Sequence, residues 1–326
     1  MGDARFEEAD AAFDEAEASL GHIPEAEEAS PGDALMDTPA RTEAEIRRWR
    51  EWMALQNDRM LARYWAFRDD DLAALVGKMR PVVERWGSPA ERAGFYAGLT
   101  MAGFRRYRYV VPAEVIEHAR LQLEASLELS SPDRLAWAWF MVAFASLWHG
   151  DLAAAETHLA TALEIAERTG DLTIEARCIT YLAIAARIRN DTERVASLVG
   201  RCLDTAARAG MPEYLAMAHG SEAWLAYRAG NLDAAERFAS ISQEHAGPPF
   251  RWTWLWPFVG AALARGDFGT AVGRARGLLA PDEQRTSDDI LAPLEAALHA
   301  WDEGDAAVAR ARLEEAAAAA RTTGRL

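Results

Sequence analysis

The sequence predicts an all-α fold: a right-handed superhelical α-solenoid of antiparallel helix pairs, in units of about 36–40 residues. Three observations carry this. First, Gly150-Asp151-Leu152, Asn190-Asp191-Thr192 and Gly230-Asn231-Leu232 stand 40 residues apart, and the series continues at Gly266-Asp267-Phe268 and Gly304-Asp305-Ala306 with spacings of 36 and 38. A fixed period in this range marks a stacked helical repeat. Second, the same slots of each unit hold small or apolar residues. Ala143, Ala183, Ala223, Val259 and Ala297 recur in the first helix, and Ala155, Val195, Ala235, Ala271 and Ala309 recur early in the second. Leu159, Val199, Ala239, Ala275 and Leu313 follow one turn later. Small residues there let two helices approach closely, as ridge-into-groove packing requires. Third, 326 residues exceed what one compact core usually holds, and the chain is rich in Ala, Leu, Glu and Arg.

The elements follow in order. Residues 1–20 read as a partial repeat, with Arg5-Phe6 at the turn position and Ala9, Phe13 and Ala16 in second-helix slots; a short acidic capping helix is the alternative. A chain that starts midway through a repeat is expected to have been cut from a longer one, or to have its start codon assigned too far downstream. Residues 21–42 are acidic, carry Pro24, Pro31, Gly32 and Pro39, and read as a linker. Residues 43–326 then form a solenoid of about six helix pairs. Within it, 43–67 reads as a long amphipathic helix. Asp70-Asp71-Leu72 opens another, with Leu75, Met79 and Val82 at helical spacing. Segments 94–105 and 113–129 make a pair around the longer turn 106–112. The next pair runs over 132–149 and 151–167. There Gly150 tolerates positive φ, Asp151 caps the following helix, and Trp139, Val142 and Ala143 share one face. In Arg251-Trp252-Thr253-Trp254-Leu255-Trp256-Pro257-Phe258 the alternating tryptophans predict an extended lead into a helix starting near Trp256, with the proline in its first turn.

Charge narrows the function classes. Of the net −16, residues 1–40 hold 12 acidic residues and one arginine, which leaves 39 acidic and 34 basic residues in the remainder. A mildly acidic body with a strongly acidic edge argues against nucleic-acid binding, which needs a basic surface. No signal peptide is visible, and the most apolar window, 135–148, is too short to span a bilayer. These observations predict a cytoplasmic protein with no membrane partner. One lysine against 34 arginines suggests a GC-rich bacterial genome. Cys178 and Cys202 fall at apolar slots and read as buried reduced thiols.

These slots, the Gly/Asn-Asp turns and Trp139 together resemble tetratricopeptide repeats (TPR) over roughly residues 43–326. Two features depart from the pattern: the units are longer than usual, and no proline follows the second helices at the expected place. Trp86-Gly87-Ser88-Pro89-Ala90-Glu91-Arg92, Arg108-Tyr109-Val110-Val111, Leu147-Trp148-His149-Gly150-Asp151-Leu152 and Ala176-Arg177-Cys178-Ile179-Thr180-Tyr181-Leu182-Ala183 are similar to stretches in the C-terminal TPR regions of large bacterial signalling ATPases. Those ATPases include regulators with adenylate-cyclase-like, LuxR-type or SARP-type domains. The resemblance implies a sensor and interaction arm that binds an inducer or partner and relieves autoinhibition of the ATPase.

Catalytic signatures are missing from the sequence. No G-x-x-x-x-G-K-[ST] occurs, and the only Gly-Lys, Gly77-Lys78, precedes Met79 inside a helix. Asp267-Phe268-Gly269 is a repeat turn without the other kinase motifs. Asn190-Asp191-Thr192 is a turn rather than a glycosylation site. His149 and His158 lack a third ligand at metal spacing. Glu314-Glu315 sits on a solvated helix face. Arg105-Arg106-Tyr107-Arg108-Tyr109 reads as an inter-helix turn. The chain is therefore read as non-catalytic, with no cofactor and no metal.

In a stack of this type first helices line the concave surface. The candidate groove is Trp137, Phe140, Phe144 and Trp148, then Tyr181 and Arg187, then Trp224, Tyr227 and Arg228, with Trp256 and Trp301 completing the row. Trp, Tyr and Arg most often anchor interfaces, and 12 tryptophans are many for this length. Gap-filling between helices is the competing account. The expected partner is a protein or peptide, including the chain's own ATPase domain if it is a fragment; a free-standing scaffold binding a partner peptide is the alternative. An enzyme built in a helical barrel would need inward acidic pairs, and these faces carry aromatics and arginine instead. The acidic segment 1–40 could fold onto Arg187 and Arg228 as a plug.

Overall fold

The computed structural model describes residues 3–21, 43–66, 68–245, 247 and 249–326. The described secondary structure is all helical. It comprises α1 (Asp3–Ser19), α2 (Glu43–Trp65), α3 (Asp69–Trp86), α4 (Pro89–Arg106), α5 (Ala113–Leu127), α6 (Pro132–His149), α7 (Leu152–Thr169) and α8 (Leu172–Ile188). These are followed by α9 (Thr192–Arg208), α10 (Pro212–Arg228), α11 (Leu232–His245), α12 (Trp252–Ala264), α13 (Phe268–Ala275), α14 (Asp288–Asp302) and α15 (Ala306–Thr322), with a 3₁₀ turn at Arg276–Leu279. The chain divides into two compact units. The first is Met1–Tyr107 with Val111–Ala145, and the second is Arg108–Val110 with Ser146–Leu326.

In the first unit α2 packs against α3 and α4, and α4 against α5. The helix at α4 begins five residues earlier than the sequence suggested. Ser88 and Glu91 form a reciprocal capping box, with the Ser88 backbone N–H donating to Glu91 Oε2 at 2.7 Å, and Pro89 occupies the first turn. Arg5 and Phe6 were expected at a turn; they lie inside α1, whose helix starts at Asp3. The linker expected at 21–42 falls outside the described residues apart from Gly21.

The second unit is the regular one. Positive φ occurs at Gly150, Gly170, Asn190, Gly210 and Gly230, every 20 residues, so the turns between pairs match those within pairs. The structural unit is thus one helix and one left-handed turn. Asp151, Asp171, Asp191, Asp267 and Asp305 each accept a backbone N–H at the start of the next helix. The small slots fill the seams: Ala155, Ala183, Val195, Ala223, Ala235, Val259, Ala271, Ala297 and Ala309 are all buried, while Val199 is half-buried. Cys178 and Cys202 are buried free thiols.

First and second helices differ in exposure, and that difference decides the site. In the second helix α9, Val195, Cys202 and Ala206 are buried on one stripe while Arg194, Arg201 and Arg208 are exposed. The first helix α8 is buried almost all round, because α7, α9 and α10 all pack on it. A helix that is apolar on every side belongs in a core.

Candidate functional site

The row of first-helix aromatics was expected to face an open groove. Instead, most of it is interior. Phe140, Phe144, Trp148, Tyr181, Arg187, Trp224 and Trp256 are buried; Trp137, Tyr227 and Trp301 are half-buried; only Arg228 is exposed. In the first unit Phe144 meets Phe104 edge-on at 4.8 Å and Phe140 at 5.7 Å, and Phe140 meets Trp137 at 5.5 Å. These rings fill gaps between helices. Edge and offset contacts of this kind add roughly 0.5–1.5 kcal/mol each beyond area burial.

In the second unit the chain's own segments cover the face. Phe250 stacks on Trp148 at 5.3 Å and meets Tyr181 at 6.1 Å and Tyr109 at 5.0 Å. Tyr109 and Arg108 both have positive φ, 60° and 46°, an uncommon conformation for side-chain-bearing residues. Hydrogen bonds hold this kink. The Arg108 guanidinium donates to the carbonyls of Glu283 and Ala280 at 2.9–3.1 Å, and Arg285 N–H donates to Arg108 O at 3.0 Å. Arg108 is thus part of a structural turn, and Arg105 and Arg106 end α4.

Arg187 lies at the centre. It is fully buried, and its guanidinium donates only to backbone carbonyls: Thr253 O at 2.8 Å, Gly324 O at 3.0 Å, Arg325 O at 2.6 Å and Gly220 O at 3.4 Å. One of these bonds has a specific origin. The run 251–258 was expected to be extended up to Trp256, yet α12 is helical from Trp252 with Pro257 inside it. Proline has no N–H for the carbonyl four residues back. That carbonyl is Thr253 O, and Arg187 supplies the missing donor. Burial pushes the Arg187 pKa well below its ordinary value, and Arg325 adds to this. Arg325 is itself lowered to about 10 by burial, with Glu283 and Asp289 pulling the other way. Its guanidinium lies 4.6 Å over Trp252, against 5.1 Å for Arg187.

Residues 324–326 therefore run across the face in an ordered way. Gly324 has φ 66°, and a Cβ there would come within 1.9 Å of Arg187 O, so no other residue fits. Leu326 is buried at Gly260, where a Cβ would sit 2.5 Å from the Leu326 side chain and 2.8 Å from the Tyr227 ring. Arg321 donates to Tyr227 Oη at 2.8 Å. Residues 324–326 thus occupy the Arg187 site, while α1, the described part of the acidic N-terminal segment, pairs with Arg59, Arg63, Arg68 and Lys78. Arg228 remains at the rim, 5.5 Å over Trp224. Trp301 meets Phe268 edge-on at 5.3 Å.

Sequence reasoning missed Phe250, Glu283 and the segment 324–326, and read Arg108 as a turn residue without its partners. Gly324 did carry a signal, since it stands 20 residues after Gly304. Glu283 carried none. Its carboxylate accepts Trp252 N–H at 3.2 Å at the start of α12 and pairs with Arg251 Nε at 2.9 Å. Burial raises it to about 7 even though Arg251 and the Trp252 amide pull it down. Burial also raises both thiols, Cys202 to about 12, so neither is a ready nucleophile. Among the described residues no group of three His, Cys, Asp or Glu could hold a metal ion, and no helix is long and apolar enough to cross a membrane.

Stacked antiparallel helix pairs with small-residue seams define the TPR-like helical-repeat class. Solved structures agree with this fold. The apo form of RapI matches with TM-score 0.54 at 13% identity, over 95% of this chain and 96% of that one. NprR in complex with its cognate peptide NprX matches with TM-score 0.61 at 13% identity, over 83% and 72%. A signal-transduction ATPase with numerous domains and a TPR sensor, from Pyrococcus horikoshii, matches with TM-score 0.52 at 16% identity, over 73% of this chain and 39% of that protein. No protein-family model matches the sequence, and no curated protein matches it significantly.

Proposed function

We propose that the chain is a non-catalytic protein- or peptide-binding module whose binding face is the first-helix side of the second unit. The observation that carries this is the mode in which residues 324–326 are held. Arg187 grips two consecutive backbone carbonyls, Gly260 opens a seat for an apolar side chain, and Tyr227 and Arg228 stand at the rim. Main-chain hydrogen bonds that give affinity, with a pocket for a side chain that gives specificity, are one general way of taking an extended peptide. NprR, similar in fold, has been solved in complex with its cognate peptide NprX. A sensor or interaction arm of a signalling or transcription-regulating ATPase fits the resemblance of the sequence and the fold of the P. horikoshii TPR sensor.

On this reading an incoming peptide displaces residues 324–326 or extends them past Tyr227. The test is to select peptides from a displayed library on the immobilised protein and measure their affinity by fluorescence anisotropy. Selected peptides should lose at least about tenfold in affinity on the Tyr227→Ala/Arg228→Ala variant, as removal of an interface anchor does. Peptides that bind this variant as tightly as the unmodified protein would remove the face from consideration.

A further inference from the structure

The first unit carries a second surface, independent of whether the second unit binds a peptide. In α1, Phe6, Asp10, Phe13, Asp14 and Glu17 fall at i, i+4, i+7, i+8 and i+11, which places them on one face of the helix. A core helix would carry apolar residues at all five positions; here three are carboxylates. Among the described side chains of α1, only Phe6 is buried.

That stripe meets a surface on which Arg59, Arg63, Arg68, Lys78 and the Trp52 indole supply donors. The Arg59 side chain is 5% exposed, and its guanidinium contacts Asp14 at 2.7 Å, Glu17 at 2.7 Å and Asp10 at 3.7 Å. Arg63 reaches Asp10 at 3.4 Å, and Lys78 reaches Glu17 at 2.8 Å. The indole N–H of Trp52 donates to Glu17 at 2.8 Å. Arg59 lies 5.5 Å over Phe13, and Arg68 lies 5.0 Å over Phe6.

We propose that this α2–α3 surface is a docking site for an acidic amphipathic helix of a partner protein, and that α1 is its exchangeable cis occupant. The choice of occupant follows from charge. A neutral or basic helix would bury Arg59 without an anion, which is strongly unfavourable. The helical stripe explains why carboxylates one turn apart are needed and not a diffuse polyanion. Exchangeability follows from how α1 is held. The other helices interlock through several buried apolar side chains each, whereas α1 buries only Phe6 among its described side chains and adds solvent-facing ion pairs at Arg68 and Lys78 that salt screens. Chain connection does not force α1 into place, because the 23 residues 20–42 can span up to about 75 Å.

The test uses the full chain and a fluorescein-labelled peptide of residues 3–19. The Asp10→Asn/Asp14→Asn/Glu17→Gln variant, whose own α1 no longer carries the stripe, should bind the peptide at least about tenfold more tightly than the unmodified protein, because intramolecular competition is removed. Adding Arg59→Met should return affinity to the unmodified level. Raising NaCl from about 50 to about 500 mM should weaken it several-fold. A peptide of the same composition with the stripe scrambled should bind at least about tenfold more weakly. Equal binding by the scrambled peptide or by single-stranded DNA of the same charge overturns the helical docking site. So does equal affinity, tight or weak, of the variant and the unmodified protein. Hydrogen exchange on the unmodified protein gives a variant-free check: α1 amides should exchange at least about tenfold faster in high salt, while those of α8 hold. Salt-insensitive protection of α1 overturns its exchangeability.

Discussion

Arg187 offers the sharpest test of how the second unit is held together. Replacement by methionine keeps the stem and removes the guanidinium. Three carbonyls, Thr253 O, Gly324 O and Arg325 O, then lose donors at 2.8, 3.0 and 2.6 Å. Each charge-assisted bond contributes about 1.5–3 kcal/mol, about 5–9 kcal/mol for the three together. Against this, methionine removes the penalty of burying a charge, several kcal/mol for an ion. The difference gives a net loss of about 2–4 kcal/mol. Because Arg187 replaces the donor that Pro257 lacks, the two residues should couple. In a Pro257→Ala background residue 257 regains its N–H, Thr253 O regains a helical partner, and the cost of Arg187→Met should fall by about 1 kcal/mol. Urea unfolding followed by far-UV circular dichroism and tryptophan fluorescence measures all four corners of the cycle, with coincident transitions as the check on two-state behaviour. Additive effects, within about 0.3 kcal/mol, would refute the donor-replacement argument. A neutral Arg187→Met would refute the whole account of the buried guanidinium.

Glu283 should make the second unit pH-dependent. Its folded pKa, about 7, lies above the ordinary 4.5. The folded state therefore holds the proton more tightly, and this contribution is present at low pH and lost as pH rises from about 4.5 through about 7. Denaturation of the Glu283→Gln variant, compared with the unmodified protein at pH 4.5 and pH 8, should show the variant gaining relative stability at the higher pH, by up to about 3 kcal/mol; parallel curves would contradict this. Trp224 is fully buried against Arg187 and Arg228. Trp224→Ala should cost about 3–5 kcal/mol in urea unfolding, and a loss under about 1 kcal/mol would return the residue to the surface.

The period of the Gly/Asn-Asp turns and the small-residue slots were legible because they are local. A left-handed turn needs glycine or asparagine, an N-cap needs a short acceptor, and a close helix crossing needs alanine or valine. Gly150, Asp151, Ala155 and Ala183 each do in the structure what their residue type suggests. The 20-residue helix unit was partly hidden, because the turn at Gly210 is followed by Met211 and not by an aspartate. The site was less legible. Trp148, Tyr181 and Trp224 occupy a helix face that period alone marks as pointing away from the pair partner, and no local rule says what lies beyond it. The tryptophan run at 252–256 misled for a related reason. Its alternation imitates a strand, and the proline imitates a helix start, until Arg187 and Glu283, 65 residues before and 31 after Trp252, supply donor and cap.

The sequence by itself determined the helices of the regular repeats, their turns and their seams, since backbone preference and side-chain size act over a few residues and repeat with the chain. Only the tertiary structure decided that the aromatic face is closed, that residues 324–326 lie on it, and that the acidic α1 sits on Arg59. Those outcomes depend on which distant carbonyl or carboxylate reaches a buried arginine, and a charge removed from water takes the partner that satisfies it, wherever in the chain that partner lies.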